Sequence, residues 1–348
     1  MYTRLPSPSD KKGAKLTAEE LDSISSSFDE SLRSPLSGLS PASASLPWLL
    51  AAVTVLTTAH SAVRSLIYEL ISDGDDSLLS WYLDNSMKVL GVCNRICSEI
   101  ERLCLHHVER KMVMKLLRSE GNPSQELIRQ ARDLLTDSVG EGEGSSGRVT
   151  SGGEVEELIG DLPLGIGMLA LQGDVSPVDR VVCRAVQAVN FLMAFIAAVI
   201  SSALLSSSGA VLGLCVPEEF PWGDSLRSIE STIILESRHG EETDRKTGLL
   251  KELDDVEARK RHVLEAMDEV VASGGCEEIV ERMREVAAGL EKATESMLKG
   301  LYSLRDGVTD LFLTATRIRK EMLNEFRESL WDGQLTVKPG MKTTPSTK

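Results

Sequence analysis

The sequence predicts an all-α protein, an elongated bundle of long antiparallel helices around a central charge-free helix, and three observations carry that expectation. Apolar residues recur at spacings of three and four through most of the chain, which is the period of one helix face. Aromatic residues make up only 4%, and valine or isoleucine rarely alternates with polar residues, so no strand is expected. The segment 188–215, AVNFLMAFIAAVISSALLSSSGAVLGLC, holds no charge in a chain that is 26% Asp, Glu, Lys and Arg.

The elements follow in order. Residues 1–45 read as a flexible Ser/Pro-rich segment with one short helix starting at Thr17, where the Thr17 to Glu20 spacing is a capping box and RSPLSGLSPASAS breaks the helix. Residues 46–332 form the main helical domain. Pro47 suits a first helical turn, and Leu49, Val53, Leu56, His60, Val63, Ile67 and Leu70 then make one stripe. After SDGDDS a helix of some forty residues carries Leu83, Leu90, Cys93, Cys97, Ile100 and Cys104 on one face, and a shorter helix spans 123–139. The Gly/Ser/Glu run at 140–153 is a low-complexity loop. Ser176 caps, and Pro177 opens, the helix that runs into the charge-free segment. Helices near 225–237 and 243–272 precede a last one over about 277–330, whose stripe from Ile279 to Phe326 wants long helical partners, in the chain or in a second copy. Gly300 and Gly307 mark a bend or a close contact there, and residues 333–348 are a disordered tail.

Composition bounds function. A net charge of -15 excludes a nucleic-acid binder, whose affinity rests on Lys and Arg against phosphates. Six cysteines without a secretory apolar run near Met1 point to free thiols inside the cell. In the basic first fifteen residues, Asp10 counts against a transit peptide.

No catalytic, cofactor-binding or metal-ligating set emerges. Cys97 and Cys104 lie about 10 Å apart along a helix, too far to share a zinc ion with Cys93, and His106 and His107 do not repair that spacing. His60 reads as a core histidine with a hydrogen-bond partner. Gly165–Ala170, GIGMLA, matches a dinucleotide fingerprint but lacks the strand that such a loop needs. Asp73, Asp75 and Asp76 are too close together for a calcium loop. Ser34 and Ser40, each followed by proline, are candidate phosphorylation sites.

The charge-free segment is long enough to cross a membrane. Asn190, Gly209 and five serines weaken that reading, and a true span would part the stripes at 49–104 and 279–326. The expectation is therefore the central helix of one bundle, with membrane association through 188–215 as the alternative.

The blocks SLPWLLAAVTVLTTAHSAVRSLIYEL, WYLDNSMKVLGVCNRICSEIERL and PEEFPWGDSLRSIEST, in that order, resemble the BYPASS family of plant proteins over most of 46–330. The resemblance gives Tyr82, Leu83, Asp84, Cys93, Asn94, Pro221 and Trp222 as fold-signature positions. It implies a helical, non-enzymatic regulator in plant development, including restraint of a root-derived mobile signal, or in stress signalling. The partners it implies are other proteins, with an exocyst subunit among the candidates, while the stripe of the C-terminal helix leaves open a second copy as a further partner. The expected place is the cytoplasm, from the free thiols, or a membrane reached through 188–215.

Overall fold

The structure is a computed structural model that describes residues 16–40, 42–70, 76–118, 123–136, 159–160, 162, 176–205, 218, 220–241 and 250–335. The expectations for the 140–153 loop, Gly165–Ala170, Asp73, Asp75, residues 206–215 and residues 336–348 lie outside the described residues.

Among the described residues the regular elements are all helical, as expected. They are α1 (Ala18–Ser37), α2 (Leu46–Leu70), α3 (Asp76–Leu117), α4 (Gln125–Thr136), α5 (Pro177–Leu205), α6 (Gly223–Glu241), α7 (Lys251–Ala272) and α8 (Glu277–Leu335).

The first helix begins at the capping box: the Glu20 carboxylate accepts from the Thr17 N–H at 2.8 Å, and the Thr17 hydroxyl accepts from the Glu20 N–H at 3.3 Å. Its other end runs into RSPLSGLSPASAS, where a break of the helix is expected. Pro35 lies inside the last turn of α1, and the helix continues to Ser37. Packing overrides the proline: Leu32 is 3% and Leu36 0% exposed, so the last turn is pulled into the core. Leu39, Ala42 and Ala44 are buried as well, so the described part of the segment packs one apolar face into the core.

Long-range polar contacts place α2. Its first N–H groups lack helical partners, and the Leu46 N–H donates to the Glu252 carboxylate of α7 at 3.0 Å, where a negative charge suits a helix N-terminus. Lys251 N donates to the Ala44 carbonyl beside it.

The 59 residues of α8 extend about 88 Å at 1.5 Å per residue. Its apolar stripe, from Val280 through Met297 and Leu304 to Met322, is buried within the chain, against α2, α3 and α7. The turn at 273–276, with Gly274 at φ 66° and Gly275 at φ 87°, folds α7 back onto α8. The helix reaches Leu335, so residues 333–335 belong to it rather than to a tail.

The charge-free helix is the most enclosed element. Every residue of α5 from Ala188 to Ile200 is buried, the large side and the small-residue side alike, with α1, α2 and α3 packed around it.

Candidate functional site

Among the described residues, two of the polar clusters that interrupt the apolar interior involve the charge-free helix, one neutral and one charged. The neutral one lies where α2, α3, α5 and α8 meet, around a small cavity of water size lined by His60, Tyr82, Asn85, Ser86 and Asn190 together with valines and Ala315. Asn190 is the amide in the middle of the charge-free helix. Across the core it exchanges two hydrogen bonds with Asn85: Asn85 Nδ2 donates to Asn190 Oδ1 at 2.7 Å, and Asn190 Nδ2 donates to Asn85 Oδ1 at 3.2 Å. A buried amide left unbonded costs about 1–3 kcal/mol, so the pair removes a penalty that either helix would carry alone. From α8, Arg319 donates to the Leu83 carbonyl and to Ser86 Oγ, tying α8 to the same turn of α3.

Burial holds this site uncharged. The His60 imidazole is pushed down to about 4, and the Tyr82 phenol is raised well above its usual value. Among the described residues His60 Nε2 has no hydrogen-bond partner, although the side chain is buried as the sequence suggested. A neutral imidazole, a protonated phenol and two carboxamides can trade hydrogen bonds, but they do not form an acid and base matched to neutral pH.

The charged cluster fastens α1. Asp29, 7% exposed, accepts from Arg184 of α5 at 2.7 Å and from the indole Nε1 of Trp222 at 3.2 Å. Burial raises its pKa, and Arg184 and the indole hydrogen bond oppose that rise. Arg184 also lies 4.7 Å over the Phe220 ring, which packs on Trp222 at 4.9 Å and on Phe191 at 6.0 Å.

The signature positions divide between these places and the surface. Tyr82 lines the cavity, Leu83 is half-buried beside it, Cys93 is fully buried and Trp222 is the buried indole of the charged cluster, whereas Asp84, Asn94 and Pro221 are exposed. Burial pushes the Cys93 thiol up to about 12 and raises Cys97 and Cys104 as well, so all three remain thiols at neutral pH and suit packing rather than metal or nucleophilic chemistry. Among the described residues no group of three or more His, Cys, Asp or Glu comes together as a ligand set. His106 and His107 lie on α3 near Arg110 and Glu257, and burial lowers them to about 4 and about 3. Ser34 is exposed in the last turn of α1, and Ser40 is exposed just beyond it.

Sequence reading missed Asn85, Asp29 and Arg184. The one local signal was Asn190, a strong polar group inside an apolar run.

Comparison with known proteins adds to this geometry. A family described as "Protein ROH1-like" matches residues 174–326. UPF0496 protein 4 of Oryza sativa subsp. japonica is 29% identical over 263 residues, which are 72% of this chain and 56% of the rice protein. Protein BPS1, chloroplastic, of Arabidopsis thaliana is 26% identical over 293 residues, 80% of each chain. The chain thus spans a little over half the length of the rice proteins it matches. Neither name is that of an enzyme. No solved structure matches.

Proposed function

We propose that the chain is a BYPASS-like plant protein, as its likeness to the Arabidopsis and rice relatives supports, and that it is a non-enzymatic helical scaffold that regulates growth or stress signalling by contacts with other proteins. The observation that carries this reading is the division of apolar surface. The most apolar helix is enclosed by its own chain, while Leu105, Val108 and Met112 leave one face of α3 apolar and open, at 64%, 37% and 65% exposure. Single exposed apolar residues are ordinary, but three on successive turns of one helix face make a contact strip.

Capture from plant extract tests it. The full chain should retain a defined set of proteins, an exocyst subunit among the candidates, and a Leu105→Glu/Met112→Glu chain with unchanged helicity should lose that set. Equal capture by both chains would remove the strip from the reading. Ser34 and Ser40 fit regulation by phosphate. On Ser34 the added charge would sit at the negative end of α1, which weakens that turn, and mass spectrometry of protein from plant tissue reads the modification directly.

Membrane association is the second reading, and α2 favours it more than α5. Both helices are apolar enough to cross a membrane by length and composition. Only half of the apolar window of α2 is buried, against 83% for α5. Recovery of the full chain in the carbonate-washed membrane pellet would support this reading over a soluble scaffold. The chloroplast is named for the Arabidopsis relative. For this chain the cytoplasm is proposed, and a fluorescent fusion at the C-terminus reports the compartment.

A further inference from the structure

We propose that the cavity between α2, α3 and α5 is a binding site for one buried water, held by His60, Asn85 and Asn190, that completes the joint seating the charge-free helix. The hydrogen-bonding capacities around the cavity require a neutral ligand with both donor and acceptor character. Asn85 and Asn190 use one N–H and one lone pair each on one another, and a carboxamide has a second of each to offer. His60 lines the same space, is 6% exposed, and its Nε2 is buried without a partner among the described residues. Tyr82 belongs to the wall as well.

Size and charge narrow the ligand to water. The space has room for one water-sized occupant, and a buried water typically makes about three hydrogen bonds, a number that the imidazole and the two amides supply. Among the described residues no carboxylate lines the cavity to hold a cation. The nearby guanidinium of Arg319 is engaged by the Leu83 carbonyl and Ser86, which leaves an anion without a counter-charge. The valines and Ala315 close the remaining wall and exclude a larger polar molecule. The water joins α2 to the Asn85–Asn190 pair, so the two most apolar helices of the chain share a polar fastening that neither supplies alone.

Crystallography of the full chain tests the proposal, with NMR of the His60 ring nitrogens as its check in solution. One spherical density peak is expected at about 2.7–3.2 Å from His60 Nε2 and from an Asn85 or Asn190 side chain, together with an Nε2 shift typical of a hydrogen-bonded nitrogen. A cavity without density, a peak out of reach of His60, or density for a larger additive overturns the proposal. In His60→Leu, which keeps bulk and removes the nitrogen, the peak should disappear or lose its place; an unmoved peak counts against His60 as a ligand. Should that variant fail to fold, the wild-type density and the nitrogen shift still decide. A dry cavity would sink this site and leave the outcome of the capture experiment untouched.

Discussion

Helices α2 and α5 pass the same test of length and apolarity for crossing a membrane, yet the fold treats them differently. Around the 188–200 stretch of α5 the chain closes on all sides, and the one amide of that stretch, Asn190, is matched by an amide from α3. Helix α2 buries one stripe and leaves Ala51, Thr54, Thr58 and Ser65 outside. Those hydroxyl groups turn inward: Thr54 Oγ1 donates to the Leu50 carbonyl at 2.8 Å, Thr58 to Thr54 at 3.0 Å and Ser65 to Ser61 at 3.3 Å. Hydropathy alone therefore does not tell which of the two helices is exposed. The more apolar helix is enclosed, and the less apolar one has an exposed face whose Thr54, Thr58 and Ser65 hydroxyls are bonded to its own backbone.

The largest expected effect breaks the enclosure of α5. Trp222, fully buried, fills the corner between Asp29 of α1 and Phe220, which in turn packs on Phe191 of α5. Trp222→Ala should cost about 3–5 kcal/mol from the lost burial and cavity. Trp222→Phe keeps most of the bulk and removes the bond to the Asp29 carboxylate, so a loss of about 1.5–3 kcal/mol is expected. Urea unfolding measures both. A cost for Trp222→Ala no larger than that for Trp222→Phe would show that the ring adds nothing to the seat of α5.

Acid should separate the two helices next. Between Ala185 and Leu204, α5 has no titratable side chain, whereas α2 carries His60 inside the core. An unfolded chain takes up that proton near pH 6.5, and the folded chain only near pH 4. The stability linked to His60 is thus complete above pH 6.5 and is lost as the pH falls toward 4, in total about 3 kcal/mol. In His60→Leu the acid loss between pH 6.5 and 4 should shrink by that amount, with His106 and His107 supplying the slope that remains. An identical pH profile for wild type and variant would show that the imidazole titrates alike in both states.

Most helices were legible because their stripes are periodic. On α8 the expected Met283, Leu290, Met297, Leu301, Leu304, Val308, Leu311, Ala315, Ile318 and Met322 are all core. The polar sites were not legible, since each is a pairing across the fold. Asn85 and Asn190 stand 105 residues apart, and Asp29 and Arg184 stand 155 apart. No local spacing marks Asp29 as the acid on α1 to be buried, or Arg184 as its partner. The helical run through Pro35 was hidden for the same reason: Leu32 and Leu36 are held by other helices, and that grip outweighs a local breaker.

The smallest effects concern how α2 lies on α8, and they differ in sign. Gly300 and Gly307 are points of close approach rather than bends. A Cβ at Gly300 would meet Leu46 Cδ1 at 2.7 Å and Leu46 Cβ at 3.1 Å, whereas one at Gly307 would meet Leu50 Cδ1 at 2.6 Å with nothing else nearer than Val53 Cγ1 at 3.8 Å. A terminal methyl can swing aside, and Leu50 is only half-buried. A Cβ moves only with its backbone, and Leu46 is 2% exposed at the capped start of α2. Gly300→Ala should therefore destabilise by about 1–3 kcal/mol through overpacking. Gly307→Ala should fall between neutral and a gain of about 1 kcal/mol, because alanine is the better helix former. Gly289→Ala, whose Cβ would meet only Arg259 Nη1 at 3.5 Å, supplies the reference gain for an unobstructed site on α8. Thermal unfolding of the three variants measures the series. If Gly300→Ala matched Gly289→Ala, α2 would be free to shift along α8, and its half-exposed seat would be looser than the enclosure of α5 by more than burial alone implies.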